Sequence, residues 1–374
     1  MEVTPVSSQR DLQAFVEFPL ELYRGDPYFV PPLLMERKDF LDPKKNPFFK
    51  HAPHQLYLAR QNGRVVGRIA AVEDRNYNEF HGTNYGWFGL YESVDDDRVA
   101  RALFETAREW SRARGKSQLL GPVSLSSNHE MGLLIDGFDQ RPAIQTPYNP
   151  RYYVRHFEEV FGLEKAKDLF AWWLPTSAEP NPKIVRIQEK VRQKEGIVVR
   201  PVRLDDFAAE AQRIKAIYNE AWEKNWGFVP FTDEEFDHVA KDMRSFVNPD
   251  LLLIAEVEGE PVAFSMTLPD INQALIHVGG RLTSFGVPVG LAKLLWYSRK
   301  IDRVRLITLG VKEKYRKRGI DAILYYDSLI TCREQGIVGA DISWTLEDNV
   351  LINRSIEMMG GKVSRTFRVY GADL

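Results

Sequence analysis

Residues 310–329 read GVKEKYRKRGIDAILYYDSL, and five of the seven positions from Lys312 to Arg318 are basic. The run ends on Gly319, and an apolar segment follows. The residues before it, RLITLGV, carry a strand pattern. A cationic loop between a strand and a helix start is suited to holding an anion. The first N–H groups of a helix lack partners and the helix dipole adds positive potential there. Glycine at 319 lets a phosphate approach the main chain closely.

A second set lies in GPVSLSSNHEMGLLIDGF, from Gly121. Asn128, His129 and Glu130 place an amide, an imidazole and a carboxylate side by side, groups able to take a proton from an ammonium nucleophile. Tyr148 and Asn149 precede Pro150, a start signal for a helix whose polar entry faces a cleft. His51 and His54, in HAPH, do not read as a metal site. Proline separates them, and no cysteine or carboxylate set completes the ligands. No metal is expected.

The elements that must carry these groups occur twice. Gln55–Asp74 and Leu251–Asp270 match at a spacing of 196, with Leu56 on Leu252, Ala59 on Ala255, Gly63 on Gly259 and Val66 on Val262. Each reads as a hairpin with a glycine turn. The segments from Trp87 and Thr308 match at a spacing of 221, with Gly89 on Gly310 and Gly115 on Gly336. Each reads as strand, loop and helix, closed by glycine. The helix faces are Val99, Leu103, Ala107 and Trp110 in one, and Ile320, Leu324, Ser328 and Thr331 in the other. Under this match Arg316, Lys317, Arg318 and Gly319 face Asp95, Asp96, Asp97 and Arg98. Three acids would repel a phosphate, so only the second copy is expected to bind one.

The 374 residues suit two domains at about 150 residues each, and PTSAEPNP, from Pro175, is the linker signal. A net charge of −2 leaves the basic run a local feature, so no nucleic acid is expected as partner. The lone Cys332 excludes an internal disulfide and fits a reducing, cytoplasmic setting. The N-terminus lacks a signal-peptide layout, and no stretch approaches about 18 apolar residues, the length that spans a bilayer. QALIHVGGRLTSFGVPVGLAKLLWYSRK, an insertion in the second copy, is apolar with a basic end. It reads as a core helix, an acyl-chain tunnel or a surface for peripheral membrane contact.

Arg316-x-x-Gly319 after a strand resembles the pyrophosphate loop of the GNAT (GCN5-related N-acetyltransferase) superfamily, usually [QR]-x-x-G-x-[GA]. Asp321 stands where Gly or Ala is usual. Asn349, eleven residues before Gly360, matches a recurrent GNAT asparagine, while Ile356 replaces the tyrosine that often serves as general acid. The layout GP, S-x-N-x-E-x-G-L-L, GF and YNP-x-YY resembles a bacterial tandem GNAT-like family that includes ceramide synthases. The resemblance implies an α/β (α+β) fold of two tandem GNAT-like domains, each a mixed central sheet flanked by helices. Residues 1–178 would form a degenerate copy without a cofactor loop, and 179–374 the acyl-CoA-binding copy.

It further implies acyl transfer from acetyl-CoA or a longer acyl-CoA to a primary amine, a small molecule or a lipid such as a sphingoid base. Main-chain groups of Leu309, Gly310 and Val311 would bind the pantetheine arm. Arg316, Lys317, Arg318, Gly319, Ile320 and Asp321 would hold the pyrophosphate, and Asn349 would complete the site. Asn128, His129, Glu130 and Tyr148 are the catalytic candidates. Two rival readings are a non-catalytic acyl-CoA or lipid binder and an aminoacyl-tRNA-dependent transferase.

Overall fold

The computed structural model describes residues 1–244, 246–284 and 286–374. In chain order the elements are β1 (Glu2–Pro5), α1 (Gln9–Leu22), α2 (Leu34–Phe40), β2 (His54–Gln61), β3 (Arg64–Val72), α3 (Arg75–His81), β4 (Tyr85–Ser93), α4 (Asp97–Arg112), β5 (Gln118–Gly121), β6 (Leu133–Asp136), α5 (Tyr152–Arg155) and β7 (Glu164–Pro175). Then come α6 (Pro182–Glu195), β8 (Ile197–Pro201), α7 (Phe207–Trp222), α8 (Asp233–Met243), β9 (Leu252–Val257), β10 (Glu260–Pro269), α9 (Asn272–Leu275), α10 (Val289–Ser298), β11 (Arg303–Val311), α11 (Ile320–Glu334), β12 (Gly339–Leu346), α12 (Val350–Met358) and β13 (Lys362–Asp373).

The chain folds as two compact units that are discontinuous in sequence. The first holds Met1–Leu169, Asn272–Arg299 and Arg365–Leu374; the second holds Phe170–Ile271 and Lys300–Ser364. The first crossing falls between Leu169 and Phe170, before the expected division at 178–179. The later crossings leave no trace in the sequence pattern, because strand pairing and not chain order sets them. The insertion at 272–299 and the last strand both belong to the first unit.

In the first unit the strand order is β1-β2-β3-β4-β5-β13, with β6 also pairing β13. Neighbours are antiparallel except β4 and β5, which are parallel. Helix α4 is capped by Asp96, whose side chain accepts from the Arg98 N–H, and buries Val99, Leu103, Ala107 and Trp110, the expected face.

In the second unit the order is β7-β12-β11-β10-β9-β8, taking β7 from Phe170. β8 to β11 pair antiparallel, and β11 and β12 parallel. Alternate residues serve opposite faces. Leu253, Ala255 and Ala263 pack with Ile320, Ile323 and Leu324 of α11, whereas Leu252, Ile254 and Phe264 pack with Ile214 and Ile217 of α7. The buried side of α11 runs through Ile320, Ile323, Leu324, Leu329 and Cys332, not through Ser328 and Thr331. Burial follows the larger apolar side chains.

Both repeated hairpins turn through two residues of positive φ: Asn62 and Gly63 at 51° and 78°, and Glu258 and Gly259 at 52° and 82°. That geometry is the tight turn matched to strand twist.

Candidate functional site

β11 and β12 run as parallel partners only from Arg303–Gly339 to Leu306–Ile342. β11 then continues to Val311 and β12 to Leu346 without further pairing to each other. Its other edge stays paired with β10 as far as Val311. The main chain of Ile307–Val311 therefore turns one edge toward a slot between diverging strands. These strands carry buried polar atoms without partners. Thr308 Oγ1 on β11, Trp344 Nε1 on β12, and Ser265 Oγ and Thr267 Oγ1 on β10 are buried with no hydrogen-bond partner among the described residues. Buried polar groups without partners are rare, and they mark where a ligand or water completes the set. At the paired end, buried Arg305 donates from Nε to Ser343 Oγ at 3.0 Å and from Nη2 to the Ser343 carbonyl at 3.2 Å, and Ser343 Oγ donates to Asp341. The sequence reading missed this group. The polar alternation Asp341, Ser343, Thr345 along β12 was the available signal.

The basic loop follows directly from β11. Lys317 and Gly319 both have positive φ, 62° and 82°, which turns the chain sharply into α11. Arg316 ties the loop down: its Nε donates to the Val311 carbonyl at 3.2 Å and its Nη2 to the Ala221 carbonyl at 2.6 Å. Lys314 and Arg318 lie over the Tyr315 ring, each 5.2 Å from its centroid. Tyr315 donates to Glu260 at 2.9 Å. A Cβ on Gly319 would stand 2.9 Å from Ile187 Cγ2 and 3.0 Å from Val191 Cγ2 of α6. Gly310 is likewise filled by a neighbour, with the Trp222 ring 2.1 Å from where its Cβ would be. Ile320 is buried in the core.

Asp321 sits in the first turn of α11, where the helix dipole favours a carboxylate. Burial raises its pKa, against the opposing hydrogen bonds from the Ala322 and Asp321 N–H groups. Asn349 is the residue before α12 and its side chain makes no capping bond. Ile356 is fully buried among Leu306, Ile342 and Met359. Loop, slot and Asn349 lie in the second unit, and their donor set (main-chain N–H groups, cations, an amide) fits a coenzyme A phosphopantetheine.

The corresponding place in the first unit is closed. β4 and β5 are parallel from Tyr85–Gln118 to Trp87–Leu120. Beyond them the chain itself enters: the Val123 N–H donates to the Phe88 carbonyl at 3.0 Å, and a Cβ on Gly89 would stand 1.6 Å from the Val123 oxygen. At the matching loop, Asp95 and Asp97 pair with Arg155, and Asp96 caps α4.

Asn128, His129, Glu130 and Tyr148 all lie in the first unit. The His129 ring meets Phe40 and Phe48 edge-on at 5.0 and 5.7 Å, and its Nδ1 is 3.0 Å from Ser126 Oγ. The Asn128 N–H donates to Ser126 Oγ at 3.2 Å. Glu130 accepts from Ser124 Oγ at 3.1 Å and faces Arg37 at 3.7 Å. Tyr148 donates to Asp26 at 2.9 Å, on the rim of a recess of about 360 Å³; burial and this bond raise its pKa. Asn149 bonds the Leu134 main chain in both directions. His51 faces Asp74 at 3.6 Å, and the His54 ring lies 4.0 Å from Phe49.

Sequence reasoning also missed Glu92. Its Oε2 accepts from Tyr23 and Tyr153 at 2.8 Å each, and Arg68 stands 3.6 Å from its Oε1. Burial raises its pKa. The four residues are far apart in sequence, so no motif announced them.

No family model matches the chain. It is 35% identical over 370 residues to Protein YghO of Escherichia coli (strain K12), covering 97% of this chain and 93% of that protein. It is 35% identical over 377 residues to the bacterial ceramide synthase of Caulobacter vibrioides (strain NA1000 / CB15N), covering 99% and 97%. Among solved structures, a tandem GNAT protein from the clavulanic acid biosynthesis pathway aligns over 100% of this chain and 98% of its own, with a TM-score of 0.59 at 12% identity. A GCN5-related N-acetyltransferase from Sphaerobacter thermophilus aligns over 99% and 95%, with a TM-score of 0.52 at 13% identity. With these full-length relatives, the chain belongs to the family of Protein YghO and the bacterial ceramide synthase, and its mixed sheets and duplicated strand–loop–helix form the fold of a tandem GNAT protein.

Proposed function

We propose that the protein is an acyl-CoA-dependent N-acyltransferase whose second unit binds the acyl-CoA. The observation that carries the reading is the contrast between the copies. The slot between β11 and β12 is unpaired and ends at a cationic turn, while its counterpart beyond β4 and β5 is filled by Val123. In this reading Lys317, Arg318 and the N–H groups at the start of α11 neutralise the pyrophosphate. Asn349 and the free edge of Leu309–Val311 bind the pantetheine arm, and a β11 N–H polarises the thioester carbonyl. The amine nitrogen attacks that carbonyl, the C–N bond forms, the C–S bond breaks, and the thiolate leaves to take up a proton. His129 and Glu130 are the candidates for removing the ammonium proton. Holding both substrates together supplies much of the acceleration.

The name of the Caulobacter relative supports a long-chain acyl donor and a sphingoid-type amine. Calorimetric titration with CoA, acetyl-CoA and palmitoyl-CoA tests the first half of the reading. Sub-millimolar binding, weakened by the paired change Lys317→Glu and Arg318→Glu, is the expected result. Affinity that rises with chain length supports the long-chain donor. Release of free CoA thiol only when an amine is added separates an enzyme from a binder. Absence of binding by every CoA species overturns the proposal.

A further inference from the structure

Helix α10 turns the wrong face outward for a helix in water. Gly290, Leu294, Tyr297 and Ser298 are its buried or half-buried positions and lie on one side. The opposite side carries Val289, Leu291, Ala292, Lys293, Leu295, Trp296 and Arg299, all exposed. A surface helix ordinarily presents polar residues there. Instead Leu295 and Trp296 are 59% and 58% exposed, and Val287, in the approach to the helix, is 55% exposed. Single exposed apolar side chains mean little, but a contiguous set on one helix face marks a contact surface.

Charge says what the surface meets. From Asn272 to Lys300 the sequence has no Asp or Glu and carries Arg281, Lys293, Arg299 and Lys300, in a chain whose net charge is −2. Arg281 pairs with Glu17. Lys293 and Arg299 lie on the exposed face itself. Apolar side chains, a tryptophan and flanking cations on one face are the composition of a helix that lies in a bilayer interface. A second copy is the weaker partner, because a two-fold contact through this face would bring Lys293 and Arg299 of both copies together.

We infer that α10 and the turn before it form a docking surface for an anionic lipid bilayer, with Val287, Leu291, Leu295 and Trp296 entering the headgroup boundary and Lys293 and Arg299 meeting lipid phosphates. The surface stands on α10 alone and does not depend on the acyl transfer proposed above.

The test is co-sedimentation of the full chain with vesicles of phosphatidylcholine alone and of phosphatidylcholine and phosphatidylglycerol in equal parts. The expected result is binding to the anionic vesicles, weakened by salt, and little binding to the neutral ones. Reversing both charges (Lys293→Glu with Arg299→Glu) is expected to weaken binding at least about twentyfold, since each cation near an anionic surface contributes about fivefold. Leu295→Ser with Trp296→Ser is expected to weaken it independently; both pairs alter exposed positions, and circular dichroism of each variant checks that the fold is kept. A wild-type chain that stays in the supernatant with anionic vesicles overturns the proposal, as does binding by both variants that matches the wild type's. A dimer in sedimentation velocity that the Leu295→Ser, Trp296→Ser pair dissolves, without vesicle binding, assigns the face to a second copy instead.

Discussion

Gly89 and Val123 stand so close that a Cβ on the glycine would lie 1.6 Å from the valine carbonyl oxygen. The main chain of Val123 takes the place that an acyl-CoA arm is proposed to take beside β11. Gly89→Ala must push β4 and the Val123 segment apart. Overpacking of this kind costs about 1–3 kcal/mol or more. Denaturant unfolding is expected to show that loss, while calorimetry on the folded variant shows unchanged CoA affinity.

At the basic turn, the pair Lys317→Glu and Arg318→Glu is expected to weaken CoA binding by at least about tenfold, since a hydrogen bond to a charged group is worth about 1.5–3 kcal/mol. Both side chains are exposed, so the melting temperature should hold. Gly319→Ala is a different experiment. Its φ of 82° and the contacts with Ile187 and Val191 predict lost stability as well as lost affinity.

Glu130→Gln and His129→Asn separate a chemical role from a packing one. Loss of a proton acceptor is expected to lower kcat by about a hundredfold or more, with CoA affinity unchanged and a steeper dependence on pH in the rate that remains. A role confined to holding Arg37, Ser124 or Ser126 would instead appear as a lower melting temperature at near-normal kcat.

Glu92 anchors Tyr23, Tyr153 and Arg68 in the first unit. Glu92→Ala leaves the Arg68 guanidinium buried beside an empty place, and breaking a buried pair in this way costs about 3–5 kcal/mol. Tyr23→Phe, which removes one hydrogen bond, is expected to cost about 1 kcal/mol. Urea unfolding of the two variants measures the difference.

His156 is fully buried, its Nδ1 2.8 Å from the Tyr91 hydroxyl. Burial, and then the charge of Arg155, hold its pKa below the ordinary 6.5. The unfolded chain therefore takes up the proton at a higher pH than the folded one does. The stabilisation is complete above about pH 6.5 and is lost as the pH falls through the folded value. Melting temperature is expected to drop on acidification from pH about 7 to about 5, and the drop should be smaller in His156→Gln.

The duplicated hairpins and the strand–loop–helix pairs were legible because glycine at a positive-φ turn and apolar periodicity are local properties. Gly63 and Gly259, or Val99 and Trp110, announce themselves in a few residues of sequence. The basic turn was legible for the same reason. The divergence of β11 from β12 was not, because it depends on a pairing that stops after Leu306 and Ile342. Nor was the clamp of Arg316 on two carbonyls, one of them on Ala221, visible in the motif that suggested a phosphate contact. Glu92 with Arg68 and Tyr153, and Arg305 with Ser343, are contacts between distant segments. The outward apolar face of α10 was readable as composition, but which side of the helix faces water was not.

Tyr370–Asp373 pair with β5 in the first unit, though everything in the second unit precedes them in the chain. During synthesis the ribosome thus releases nearly the whole first half before the strand that finishes its sheet exists. β5 waits with an open edge while some 240 further residues emerge, at about 5–20 residues per second. An edge strand in that state can pair with other chains, so nascent chains are the stage at which this protein most needs shielding. For the same reason a fragment ending at the linker would be short of a strand.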